Sequence, residues 1–288
     1  MKGSVAMDFQ LSTEQKNLQE AARLFATEQM TSVARDLESQ NQPLSSNWLK
    51  RYGELGFLGV NIAKELGGLG LGNLEALIVL EEFAKVSPAI AFPIFESSVG
   101  PIRAVEHFAN RKLVERIVPK VCNGELVIAV AMSEPDAGSA LTDLKTKAEI
   151  KNDMIIVNGQ KRWCSGGGHA DAYVVYVRMS NTPGAGGIGA VLVENGVPGL
   201  TFGAREQLMG FRGIPSADIF FDDVKIPIEN LVVPADGGFQ KLMEAFDLER
   251  CGNATMCLGI AQAAYSDALS YVQERHQFGK PLVDFQAV

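Results

Sequence analysis

Four short segments hold the side chains best suited to chemistry. AMSEPDAGSA (131–140) places Met132 beside a turn whose hydroxyls, Ser133 and Ser139, flank Glu134, Pro135 and Gly138. NGQKRWCSGGG (158–168) sets Trp163, Cys164 and Ser165 just before three glycines. AFDLERCGN (245–253) carries Asp247, Glu249 and Arg250, and ERHQFGKPLVDFQ (274–286) carries Arg275, Gln277, Phe278 and Gln286. By residue type alone each has an ordinary reading. These are a hydroxyl-rich turn, a core tryptophan before a turn, a Glu–Arg pair on a helix surface, and a solvated helix end beside Glu274.

Composition narrows the chemistry further. The 288 residues carry a formal charge of −8 and are 47% hydrophobic, enough for a sizeable core. Nothing basic enough to grip nucleic acid through its phosphates stands out. Cys122, Cys164, Cys251 and Cys257 form no C-x-x-C pair, and His107, His169 and His276 lie far apart, so no metal site is read. The cysteines are expected to be reduced and mostly buried, which fits a reducing compartment. The start, MKGSVAMDFQ, lacks the apolar run of a signal peptide, Met7 offers an alternative start, and no apolar stretch is long enough for a membrane span.

The elements that must position these residues fall into three stretches. Up to about Gly124 the pattern is helical. Ser12 and Gln15 form a capping-box signature, Leu18, Ala22 and Phe25 follow at helical spacing, and Leu74 to Val86 is a run that stops before Pro88. Gly67, Gly68, Gly70 and Gly72 read as a turn between helices, since no strand precedes them and G-x-G-x-x-G spacing is absent. From Glu125 to about Pro234, short β-rich runs appear at 126–132, 154–157, 173–178, 188–193 and 218–221, with turns expected at Asn158-Gly159 and Gly184–Gly189. The spacing leaves no room for crossover helices, so a mainly antiparallel barrel or sandwich is expected. From Gly237 helical patterning returns, and Phe285, Ala287 and Val288 read as the opening turn of a further helix. Such a stretch cannot bury its apolar faces alone, so the chain is expected to be cut within a domain.

AMSEPDAGSA, NGQKRWCSGGG, MGFRGIPSADIFFDDVKIPIENL (209–231) and ERHQFGKPLVDFQ, in this order, resemble segments of the acyl-CoA dehydrogenases. DFQLSTEQ and GGLGLGNLEALIVLEEFAK fit the same family, so the resemblance covers nearly the whole chain. It implies an α+β multi-domain protein: an N-terminal helical domain (1–122), a β middle domain (123–236) and a truncated C-terminal helical bundle (237–288). It further implies FAD-dependent α,β-dehydrogenation of an acyl-CoA thioester. An electron-transfer flavoprotein would be the acceptor, the assembly a homotetramer or homodimer, and the setting fatty acid or acyl-CoA metabolism in the cytoplasm, or the mitochondrial matrix in a eukaryote, although no transit peptide is seen.

The resemblance also implies site roles. Met132, Ser133, Ser139, Trp163, Cys164 and Ser165 would line the FAD, with Ser139 near the acyl-CoA as well. Arg275, Gln277 and Phe278 would reach the FAD of a neighbouring subunit, and Gln286 would add a cofactor contact. Glu249 matches the base position of the isovaleryl-CoA and long-chain branches, flanked by substrate-side Asp247 and Arg250. In many other members the base lies further towards the C-terminus. Phe246, Cys251 and Ala254 would supply its apolar surroundings. Several positions depart from the family pattern: Ala140 where Asp is common, Cys164-Ser165-Gly166 within the W-x-T-N-G motif, and Lys64 where Pro is frequent. The GSA and GGG variants also occur in the sulfinopropionyl-CoA desulfinase, a member that lacks the catalytic Glu, which leaves two further readings beside dehydrogenation: a lyase-like member, and a catalytically incomplete fragment that is inactive and holds FAD weakly by itself.

Overall fold

A computed structural model describes residues 9–288. The alternative start at Met7, with the residues before it, lies outside them. Helix α1 (Thr13–Gln40) opens on a complete capping box: the Gln15 amide donates to Ser12 Oγ at 3.2 Å and the Ser12 amide to Gln15 Oε1 at 2.9 Å. Two of the helix's unpaired amides are thereby satisfied. Its buried stripe, Ala22, Ala26, Met30, Ala34 and Leu37, packs on α3 (Asn73–Val86) and α4 (Pro88–Ser98). Phe25, Tyr52 from α2 (Ser46–Glu54), Phe57 and Phe83 meet at centroid distances of 5.1 to 6.4 Å, several of them edge to face.

The glycine-rich segment is a turn between α2 and α3. A Cβ at Gly68 would lie 2.2 Å from the Ile62 carbonyl oxygen, so no larger residue fits. Pro88 ends one helix by being the first residue of the next: Ser87 is extended, and its Oγ accepts from the Ala89 amide at 3.2 Å. Helices α5 (Ile102–Phe108) and α6 (Arg111–Cys122) complete the N-terminal helical part.

The middle sheet comprises β1 (Ile128–Ala131), β2 (Lys147–Lys151), β3 (Met154–Ser165), β4 (Ala172–Arg178), β5 (Ile188–Glu194), β6 (Leu200–Phe202), β7 (Ser216–Pro227) and β8 (Leu231–Val233). The strand order is β6-β7-β3-β2-β4-β5-β8, with β1 beside β4, so the sheet is sandwich-like rather than a closed barrel. Most pairings are antiparallel, but β1 runs parallel to β4 from Ile128↔Ala172 to Ala131↔Val175. The crossover contains a short 3₁₀ turn and the β2–β3 hairpin instead of an α-helix, an arrangement that local spacing does not reveal. Alternate residues of β4 feed two cores. Ala172, Val174 and Tyr176 face the helices, while Tyr173, Val175 and Val177 face the other side of the sheet.

Three local expectations change. Asn158-Gly159 is not a hairpin turn but lies inside β3 at a register shift, where the Asn158 side chain bonds Asp223 and a Cβ on Gly159 would strike Thr146 at 2.6 Å. The hairpin turn instead falls at Asn152-Asp153, where Asn152 has φ 54°. The run at 218–221 is the first half of a longer, 12-residue strand. Phe285–Val288 forms a turn after a 3₁₀ segment rather than a helical start.

Helix α7 (Gly238–Glu274) spans about 55 Å from its 37 residues. Leu242, Gly252, Met256 and Gly259 are buried on one side, while Leu258, Tyr265, Leu269 and Tyr271 are exposed. Removing the cap hydroxyl with Ser12→Ala should destabilise the protein by about 1 kcal/mol. Urea unfolding checks this; an unchanged midpoint would show that the box contributes nothing here.

Candidate active site

Two strand ends build the polar edge of the site. β1 delivers Met132 and Ser133, both partly buried, and β3 delivers Trp163, Cys164 and Ser165. Between Lys161↔Ile219 and Cys164↔Ala217, β3 carries one more residue than β7, which is a β-bulge. The bulge sets Trp163 at φ 60° and leaves its ring 55% exposed. A left-handed non-glycine residue costs roughly 1–3 kcal/mol. The Arg162 guanidinium lies 4.4 Å from the ring centroid.

Cys164 turns the opposite way. Its thiol is buried and donates to the Val130 carbonyl at 3.2 Å, and burial pushes its pKa far up. Its side chain therefore packs in the sheet and presents no thiol to a ligand. Ser165 pairs with Ser216 across β7 and is partly exposed. An exposed indole flanked by Ser133 and Ser165 suits a flat apolar ring with polar edge atoms. The flavin assigned by resemblance fits that chemistry.

The carboxylate comes from α7. Glu249 lies on the stripe Leu242–Ala245–Glu249–Gly252–Met256, whose three- and four-residue spacing marks the inward face. At Gly252 the helix touches α4 directly: a Cβ there would lie 2.6 Å from Val99 and 2.9 Å from Phe95. Burial pushes the Glu249 carboxyl up to about 7, partly offset by Arg250. The desolvation is not supplied by the neighbours expected from sequence, because Cys251 and Ala254 point outward; Phe246 is partly buried beneath the Arg250 guanidinium, 4.1 Å from its ring centroid.

Glu96, which sequence reading gave no role, is 6% exposed, and its carboxyl has no hydrogen-bond partner among the described residues. Burial, with Glu249 adding repulsion, raises its carboxyl pKa well above the ordinary range. It lines a small cavity of about 30 Å³, room for about one water molecule, with Phe92, Gly166, His169 and Ile214. A single acid inside the apolar run AIAFPIFESS was the available signal. Of the cysteines, only Cys122 and Cys164 are buried; Cys251 and Cys257 are exposed, which corrects the expectation for the set.

Other expected residues are not gathered around Trp163 by any contact of this chain. Ser139 is exposed in the loop after β1, and Asp247 and Arg250 are exposed on α7. Arg275 caps α7, and Gln277 and Phe278 belong to the hairpin of β9 (His276–Gln277) and β10 (Lys280–Pro281), which packs back against α7. Phe278 is 95% exposed with φ 52°, and Gln286 is exposed in the final turn.

Residues 12–125, 129–224 and 236–288 match the family models for the N-terminal, middle and C-terminal domains of acyl-CoA dehydrogenases. The chain is 35% identical over 288 residues to a 3-sulfinopropanoyl-CoA desulfinase of Variovorax paradoxus, covering 97% of this chain and 71% of that protein. It is 34% identical over 280 residues to the mitochondrial isovaleryl-CoA dehydrogenase of Pongo abelii, covering 96% of this chain and 66% of that protein. The solved glutaryl-coenzyme A dehydrogenase glutaryl-CoA complex is similar with a TM-score of 0.93 at 32% identity, covering 98% of this chain and 72% of that one.

The raised Glu249 pKa has a defined sign for stability. The folded state holds the proton more tightly than the unfolded chain, so the stability contributed below pH 4.5 is lost as pH rises to about 7. The Tm of Glu249→Gln relative to the parent should therefore climb between those values and level off above. A pH-independent difference would place Glu249 in water.

Proposed function

The chain belongs to the acyl-CoA dehydrogenase family, and from that premise we propose that it carries out FAD-dependent α,β-dehydrogenation of an acyl-CoA thioester with Glu249 as the base. The supporting observation is a carboxyl that occupies the inward stripe of α7 and is raised to about 7 by burial; the motif resemblance adds the base role of the isovaleryl-CoA and long-chain branches. A base poised near neutral pH is ionised often enough to act and basic enough to take a carbon-bound proton. Glu249 removes the α-proton and becomes a neutral acid. The chemistry that FAD would supply, held against Trp163, Ser133 and Ser165, is acceptance of the β-hydrogen as hydride. Trp163 offers the ring a flat apolar wall, and the Ser133 and Ser165 hydroxyls offer donors to its polar edge.

Further parts of the reading rest on the motif matches. Met132 and the Cys164 backbone border the flavin, and Ser139, Asp247 and Arg250 stand on the substrate side. The hairpin residues Arg275, Gln277 and Phe278, with Gln286, serve the FAD of a second subunit in a homodimer or homotetramer. The electron acceptor is an electron-transfer flavoprotein, and the compartment is the cytoplasm or a mitochondrial matrix. Among the described residues, no helix is long and apolar enough to cross a membrane. The division into 1–122, 123–236 and 237–288 goes with this assignment.

A second reaction keeps the flavin but cleaves a carbon–sulfur bond. Ala140 and the glycines at 166–168 favour it, as does the similarity to the desulfinase. Glu249 favours dehydrogenation. Anaerobic mixing of the FAD-loaded protein with a panel of acyl-CoA thioesters that includes a 3-sulfinoacyl-CoA separates the two: dehydrogenation bleaches the flavin, whereas desulfination hydrolyses the sulfinate with water to sulfite and the unsubstituted acyl-CoA without bleaching.

Glu249→Gln should keep FAD and acyl-CoA binding while slowing stopped-flow bleaching by several orders of magnitude. The parent's bleaching rate should rise with pH through about 7 as Glu249 ionises. Near-normal bleaching by the variant would move the base elsewhere. Trp163→Ala should weaken FAD binding, measured by equilibrium dialysis, and Ser165→Ala should shift the flavin reduction potential; if neither quantity changes, the flavin edge is misassigned.

A further inference from the structure

Lys161 and Glu134 form a buried ion pair directly behind the proposed flavin edge. Lys161 is 0% exposed, and its Nζ donates to Glu134 Oε1 at 2.8 Å and to the Met132 carbonyl at 2.9 Å. Glu134 also accepts from the amides of Lys145 at 2.6 Å and Thr146 at 2.9 Å. The Arg162 amide donates to the Ser133 carbonyl at 2.9 Å. Burial alone would push the Glu134 carboxyl up, but Lys161 and the amides outweigh it and hold the carboxyl below its ordinary value.

These bonds join three backbone segments. One side is Met132–Glu134, another is Lys145–Thr146 at the far end of the same loop, and the third is Lys161–Arg162, just before the bulge. A buried ion pair is an inefficient source of stability, because apolar side chains of similar volume often serve as well. Its distinctive contribution is directional: each donor and acceptor accepts few geometries. Here that directionality falls on the residues preceding Ser133 and on the residues preceding Trp163. The left-handed backbone of Trp163 costs energy and persists only where its surroundings over-determine it.

We propose that the Lys161–Glu134 pair is a positioning device that holds Ser133 and Trp163 in one rigid edge competent to bind FAD. The proposal rests on the flavin reading of that edge. Neither residue touches the ring; both act through the backbone they pin.

The chain has two tryptophans, so Trp48→Phe leaves Trp163 as the sole indole reporter. In that background, FAD is titrated against Trp163 emission, acrylamide quenching reports how tightly the indole is held, and thermal melts report stability. Lys161→Met and Glu134→Gln should each lower the Tm, since each strands a buried partner. The double variant Lys161→Met/Glu134→Leu removes both charges and should regain most of the lost Tm. Its Kd for FAD should nevertheless stay at least tenfold weaker than the parent's, with faster acrylamide quenching. A double variant that binds FAD and resists acrylamide like the parent would reduce the pair to a structural role and overturn the proposal. If the charge variants fail to fold, Lys161→Arg keeps the charge and should retain the Tm while altering Kd and quenching; parental values of both would overturn it equally. A parent whose Trp163 emission does not respond to FAD would sink the flavin reading, and the acrylamide comparison would still decide whether the pair fixes the loop.

Discussion

The approach of α7 to the N-terminal helices governs the site. Gly252 and Gly259 permit it: a Cβ at the first would strike Phe95 and Val99, and one at the second would come 2.8 Å from Ala84 and the Glu81 carbonyl. Close-packed interiors leave no slack for such an atom. The same contact that seats the helix turns Glu249 inward and strips water from it. Packing and acid–base tuning are one event here, because desolvation follows from how near the two helices come.

Two buried carboxyls then share a low-polarity region. Glu96 and Glu249 interact unfavourably when both are ionised, and burial opposes each charge separately. Glu96 is enclosed more fully and its carboxyl has no hydrogen-bond partner among the described residues, so burial opposes its charge the more strongly. Glu249, less enclosed and beside Arg250, is the group able to change its protonation near pH 7. The difference in environment, rather than in residue type, separates their behaviour.

On the sheet side, a bulge and an ion pair do complementary work. The extra residue on β3 swings Trp163 out of the ladder while Cys164 returns to the core. Lys161 and Glu134 tie the strand to the loop after β1, over a sequence separation of 27 residues. The parallel pairing of β1 with β4 brings that loop into range at all.

Much of the helical architecture was legible in order along the chain. Ser12 and Gln15 form the capping box that their spacing announces, because capping is settled within four residues. Pro88 punctuates two helices for the same local reason. The motif order led to the family that the domain matches support. Long-range relations were not legible. Asn158-Gly159 carries the composition of a hairpin turn, yet pairing with β7 keeps it within a strand. Glu96 looks like an isolated polar residue in an apolar run until α4 is packed against the sheet. Lys161 and Glu134 look like two surface charges until their strands meet. Local conformational preference is written in neighbouring residues; desolvation, ion pairing and helix approach depend on atoms distant in sequence, so only the tertiary structure decides them.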